Sequence, residues 1–376
     1  MVKRIAIILL LFYIISPTIF ACAEEATLDD NYYDIEDGLP DDIADLLPDG
    51  LFSEDEKLRD EAIDTITSWQ YIIDTILEII GMNFRDIGAI LGKMLIMICF
   101  CSILNAFNKG LGNEGLSGIL NLVGSAVTAT TVISIAIVPF ERSASLFDSI
   151  TIFVNTVSPL ICGMYAMGGN VNSAIVNNYA LIVFLSILEN VLVIALESII
   201  GICTALALVS SILYEPSLNT ISNTIKRAFT AFIGFAMLIF TTVVSTQNLL
   251  AVRADTLSTK AAKMLAANMI PLVGGTVGES LRTAGASIEY LRSGVGIVLL
   301  VALLLLVLPT LISICAYRLA FTVAGTIASF LGCEREERII GELSSILGYI
   351  FAIITITSIA LLYLVTVFAK CGSPLN

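Results

Sequence analysis

The sequence predicts an all-α, polytopic membrane protein, and three observations predict it. Hydrophobic residues make up 57% of the 376-residue chain and charged residues only 14%, far from the balance of soluble domains. Five apolar windows, at about 87–107, 119–139, 228–248, 294–316 and 345–369, are each long enough to cross a hydrocarbon core of roughly 30 Å as a helix. Charge is also segregated: residues 24–64 hold 17 acids against Lys57 and Arg59, so this one stretch accounts for all of the formal charge of −14 and the rest of the chain is close to neutral.

The elements follow in chain order. Lys3 and Arg4 precede an apolar run from Ile5 to Phe20 that ends at Ala21-Cys22-Ala23, the order of a secretory leader cleaved after Ala23. An uncleaved anchor and a lipidated Cys22 are the alternatives. Residues 24–57 then form an acidic exported segment, rich in Asp and carrying Pro40 and Pro48, that buries too little apolar surface to fold alone. It reads as a solvated tether or as a docking tail. Over 58–84 apolar residues recur at helical spacing with acids between them, and Trp69 and Tyr71 suit an interface, so an amphipathic surface helix is expected before the first span and its loop, 85–118.

Beyond the five windows, residues 174–213 form one long tilted helix or two spans with Glu189-Asn190 between them. Residues 147–167 and 264–280 are apolar but carry Pro and Gly, which gives six to eight spans in all. The chain also resembles itself. Ser158-Pro159-Leu160, followed by Gly163, Gly168 and Gly169, has a counterpart in Ile270-Pro271-Leu272, followed by Gly274, Gly275 and Gly278. A divergent tandem repeat is therefore expected, with units 119–227 and 228–344 and a last span and tail over 345–376. Lys226 and Arg338 fall at matching offsets. Because residues 249–263 are net basic and 140–157 slightly acidic, opposite sides of the membrane are expected for them, which would make the two units inverted.

The chain contains no histidine and no GxxxxGK[ST] loop, which excludes Ser-His proteolysis, HExxH metalloproteolysis and P-loop ATP hydrolysis. Eight cysteines, none in a CxxC pair, lie mostly in apolar runs and indicate neither a zinc site nor a disulfide framework. No cofactor, metal or nucleic acid is expected. The candidate path or coupling residues are Glu189, Asn190 and Glu197, since intramembrane carboxylates cost about 2.5–3.5 kcal/mol to insert and are functional by default. A turn between two spans is the competing reading. Lys93, well inside the first span, must snorkel or find an acidic partner. A second candidate is the kinked or re-entrant segment that carries Lys260, Lys263, Asn268, Pro271, Gly274, Gly275, Gly278 and Glu279, with Pro159, Gly163, Gly168 and Gly169 as its repeat counterpart. Irregular backbone at membrane depth requires a surrounding cavity or protein, so a cavity lining and a plain interfacial kink both remain open.

At Lys260 to Lys263, Asn268, Ile270 to Gly275 and Gly278 to Ser280 the sequence resembles the stage III sporulation protein AE family of endospore-forming bacteria, and the likeness extends over nearly the whole chain. The resemblance implies a permease-like subunit of a channel-like complex joining mother cell and engulfed forespore, in the mother-cell membrane around the forespore. Its implied partners are the lipid bilayer, a cytoplasmic ATPase and ring-forming exported domains, with a homo-oligomer left open. It brings no catalytic residues. An autonomous ion-coupled transporter and a non-conducting scaffold are the competing expectations.

Overall fold

Long apolar stretches with few helix breakers make long helices, and those breakers decide where the helices stop. The computed structural model describes residues 61–62, 65, 68–110, 114–167, 170–188, 194–213, 216–269 and 274–370. The leader over 1–23 and the acidic segment over 24–57 lie outside them. Among the described residues there are seven principal helices: α1 Trp69–Gly110, α2 Glu114–Met167, α3 Val171–Ile187, α4 Ile194–Leu213, α5 Pro216–Met269, α6 Gly274–Phe330 and α7 Glu334–Lys370. The protein is an all-helical, polytopic membrane protein. Five of its helices are long and apolar enough to cross a membrane, and each contains one of the five expected windows; two apolar stretches, Val171–Ile187 and Ser198–Ala207, are shorter.

The helices are longer than the windows that announced them. α1 runs without a break through the boundary expected at 84/85. α2, at 54 residues, is about 81 Å long at 1.5 Å per residue and passes through both Pro139 and Pro159. Residues 147–167 are thus a continuation of the preceding span. Ser143 Oγ donates to the Pro139 carbonyl at 2.6 Å, a local bond that supplements the backbone ladder near one of those prolines.

Cross-helix contacts fix the direction of every helix. α1 and α2 form an antiparallel pair, with Asn108 facing Asn121 and Cys101 facing Thr128. α2 and α3 are likewise antiparallel, through Ser158 with Asn178 and Cys162 with the Ala174 carbonyl. α3 lies antiparallel to α5, with Ser173 at Asp255 and Phe184 at Phe240. Farther along the same helix, Cys203 of α4 sits beside Ser222. α4 therefore continues along α5 in the direction that α3 set, and α3 and α4 belong to one traverse. α7 runs parallel to α5, through Lys226 with Glu342 and Phe229 with Tyr349, and antiparallel to α6, through Thr322 with Ser344 and Arg318 with Gly348.

Among the described residues the result is a six-traverse up-and-down bundle in which α2, α5 and α7 point one way and α1, α3–α4 and α6 the other. This corrects the expected inversion. α2 and α5 are parallel, so residues 140–157 and 249–263 lie at the same end of the bundle, called here the Trp69 end. At the opposite, Gly110 end, the connection from α6 to α7 is a Schellman turn: Gly332 has φ +72°, its N–H donates to the Ser329 carbonyl, and Cys333 N–H donates to the Ala328 carbonyl. Of the apolar window in α6, 61% is buried within the bundle, against 17% of that in α5. α6 is therefore the central helix and α5 a peripheral one.

Candidate functional site

Polar side chains inside an apolar bundle are held only where they satisfy one another, and α5, α6 and α7 carry such a seam. Lys226 of α5 is 4% exposed. Its Nζ donates to Glu342 Oε2 at 3.2 Å and to Ser345 Oγ at 2.7 Å, both on α7. Ser345 Oγ donates in turn to Asn223 Oδ1 at 3.3 Å. The spacing explains the convergence: Asn223 and Lys226 are one turn apart on α5, and Glu342 and Ser345 one turn apart on α7, so parallel helices bring four polar groups together.

Closer to the middle of the bundle the α6–α7 interface carries Arg318. It lies twelve residues before the end of α6 at Phe330, about 18 Å along the helix. Its guanidinium lies against Gly348: a Cβ at that position would stand 2.8 Å from Arg318 Cζ. Gly348 is thus the gap through which the arginine passes. Arg142 of α2 reaches the same helix from the other side, its Nη1 donating to the buried Ser313 Oγ at 2.7 Å.

A second polar centre lies at the Trp69 end. Asp255 of α5 is 2% exposed and accepts from Asn172 N at 3.1 Å, Asn172 Nδ2 at 2.9 Å, Ser173 N at 2.9 Å and Ser173 Oγ at 2.6 Å. Those two backbone donors are the N2 and N3 positions of α3, which a capping side chain ordinarily satisfies. Asn170, the N-cap of α3, makes no such bond. Asp255 caps α3 from another helix, and its negative charge faces the positive end of the helix dipole.

The candidates expected from the sequence fall elsewhere. Glu189, Asn190, Pro271, Gly168 and Gly169 lie outside the described residues. Glu197 is in the first turn of α4, Gly163 in α2, Lys263 and Asn268 near the end of α5, and Gly274, Gly275, Gly278 and Glu279 in the opening turns of α6; their side chains are outside the described set. Lys260 is exposed on α5 and Pro159 exposed on α2. Lys93 is exposed and makes no ion pair among the described residues, six residues into the apolar segment that starts at Ile87, which leaves snorkelling toward the Trp69 end. Of the candidates whose side chains are described, Lys93, Lys260 and Pro159, none is among the bonded residues of the seam. Lys226 was legible only as a repeat position, and Asp255, Arg318 and Glu342 were not singled out at all. The available signal for Arg318 was a lone cation between two apolar runs, Val298 to Cys315 and Leu319 to Leu331.

Residues 56–372 match the model of the family described as stage III sporulation protein AE. Over 290 residues the chain is 20% identical to the stage III sporulation protein AE of Bacillus subtilis (strain 168), covering 76% of this chain and 72% of that relative. No solved structure matches.

Proposed function

The chain belongs to the stage III sporulation protein AE family, and on that premise we propose that it is a non-enzymatic membrane subunit of a sporulation channel or secretion complex between mother cell and forespore. A role in sporulation follows from the family; the subunit role is the proposal. In this reading the chain shapes the path and docks its partners, a cytoplasmic ATPase and ring-forming exported domains among them. It sits in the mother-cell membrane around the forespore. Energy comes from a partner, because the chain has no phosphate-binding loop of its own.

The observation that supports this best is the closed seam between α5 and α7. A carboxylate that couples a proton gradient to transport must meet water in at least one state. Glu342 is 9% exposed and engaged by Lys226, which is itself held by Ser345. Such a pair fixes register between two parallel helices and suits a subunit that holds a shape.

The test is reconstitution of the purified full-length chain in vesicles carrying an internal pH-sensitive dye, beside complementation of a deletion strain. Glu189→Gln, Glu197→Gln and Glu342→Gln are compared with the wild type. The proposal expects no proton or sodium flux from the chain alone and sporulation that depends on the chain being assembled with partners. Gradient-driven flux abolished by Glu189→Gln or Glu197→Gln would establish the autonomous transporter and sink the subunit reading.

A further inference from the structure

At the Gly110 end of the bundle α1 and α6 finish close to where α2 and α7 begin. Between them lies a cavity of about 410 Å³ with polar walls. Two hydrogen bonds set the direction of its carboxamides. Asn105 Nδ2 donates to the Gly332 carbonyl at 2.9 Å, and Asn108 Nδ2 donates to Asn121 Oδ1 at 3.0 Å. The second bond leaves Asn108 Oδ1 buried without a partner.

Glu336 lines the same cavity. It is 8% exposed, and no hydrogen bond or ion pair reaches its carboxylate among the described residues. Opposite stands Gly124, where a Cβ would come 3.3 Å from Glu336 Oε1, so glycine keeps that space open. The first turn of α7 holds Glu334, Glu336 and Glu337, and its dipole favours acids there. That accounts for carboxylates near water. It does not account for one that is only 8% exposed as a residue and faces a polar cavity that an unpaired carbonyl oxygen also lines, where an anion largely removed from bulk water favours a counter-charge. Glu334 and Arg335 also line the cavity, and their formal charges cancel, so Glu336 sets its sign.

Two unpartnered acceptors call for a donor, and the negative one calls for a cation. Size selects its kind. A hard metal ion draws about six to eight oxygens to roughly 2.3–2.6 Å, and no group of three or more His, Cys, Asp or Glu able to hold a metal occurs among the described residues. The volume corresponds to on the order of a dozen waters at about 30 Å³ each. We propose that this cavity is a binding site for an alkylammonium or alkylguanidinium group, held by the Glu336 carboxylate and the Asn108 carbonyl oxygen. The group arrives either as a free polyamine or as a Lys or Arg side chain of a partner protein. The site is independent of the subunit reading and would serve a transporter equally.

The experiment uses the full-length protein in detergent micelles and follows NMR line broadening of n-butylammonium and n-propylguanidinium chlorides. n-Butanol serves as the neutral probe, and choline chloride holds the ionic strength constant. Saturable binding is expected in the wild type, at least tenfold weaker binding in Glu336→Gln, and no change in Glu337→Gln, which removes a charge from the same turn outside the cavity. Gly124→Ala keeps every charge and crowds Glu336, and is expected to weaken binding severalfold even if Glu336→Gln fails to fold. Spermidine that binds a hundredfold more tightly than n-butylammonium identifies a free polyamine as the source; comparable affinity identifies a side chain. Equal broadening in wild type and Gly124→Ala together with no effect of Glu336→Gln overturns the site, and displacement by sodium chloride but not choline chloride overturns its organic character.

Discussion

Asp255→Ala removes the only side chain that caps α3 among the bonds described, and its effect can be worked from the four donors it strands. Asn172 lies at the exposed edge, so its N–H and carboxamide regain water when the carboxylate goes. Ser173 does not: its residue exposure is 0%, and both its N–H and its hydroxyl point at Asp255. A buried donor left unpaired costs about 1–3 kcal/mol, so two of them, with loss of the charge at the helix N-terminus, destabilise the start of α3 by about 3–5 kcal/mol. Asp255→Asn keeps one acceptor oxygen and turns an amine toward the same donors, so it falls between the wild type and alanine.

The assay is hydrogen exchange read by mass spectrometry on peptides spanning 171–180, with 334–350 as an internal reference. A local loss of 3 kcal/mol corresponds to roughly a hundredfold faster exchange. Asp148→Ala, an exposed aspartate on α2, is the charge control. The capping argument fails if Asp255→Ala accelerates 171–180 no more than Asp148→Ala does. It fails equally if 334–350 speeds up as much as 171–180, because the residue would then support the whole bundle and not one helix end.

Three other outcomes follow from the same contacts. Lys226→Met leaves Glu342 buried without its counter-charge and should cost about 3–5 kcal/mol in thermal unfolding, with most of the loss recovered in the Lys226→Met, Glu342→Leu double variant; a double variant no better than the single one would show that the pair was not the cause. Gly348→Ala drives a methyl group into Arg318 and should cost about 1–3 kcal/mol, relieved by Arg318→Ala if the clash and not the helix itself is responsible. In a cysteine-free background, Ser145→Cys on α2 and Thr256→Cys on α5, both exposed, should be labelled by an impermeant maleimide from the same side of the membrane. Labelling from opposite sides would restore the inverted arrangement.

Hydropathy made the membrane class and all five long apolar helices legible, because burial in lipid is a property of composition over a window of about 20 residues. It did not make their ends legible. Arg318 lies just beyond the apolar window 294–316, yet α6 continues to Phe330 and carries the arginine into the bundle. Helix length depends on stop signals, and the effective one here is the positive φ of Gly332, sixteen residues beyond the window. Asp255 was illegible for a different reason. It caps a helix more than eighty residues earlier in the chain, and no local pattern records a bond made between distant segments.

The expected inversion turns on the number of crossings. It required an even number between residues 157 and 228, supplied either by 174–213 as two spans joined by a turn at Glu189-Asn190 or by 147–167 and 174–213 as one span each; the structure has 147–167 continuing α2. The pairings of Ser173 with Asp255, Phe184 with Phe240 and Cys203 with Ser222 run monotonically down α5, which a hairpin cannot do. One traverse replaces two, and the direction of everything after it reverses. Arg142 is bonded to Ser313 and Asp255 to the start of α3; the remaining charges keep 140–157 acidic and 249–263 basic, so it is the helix directions, and not the loop charges, that argue against inversion. A repeat that pairs α2 and α3–α4 with α5 and α6 is therefore parallel, because α2 and α5 point the same way and both are followed by a traverse in the opposite direction.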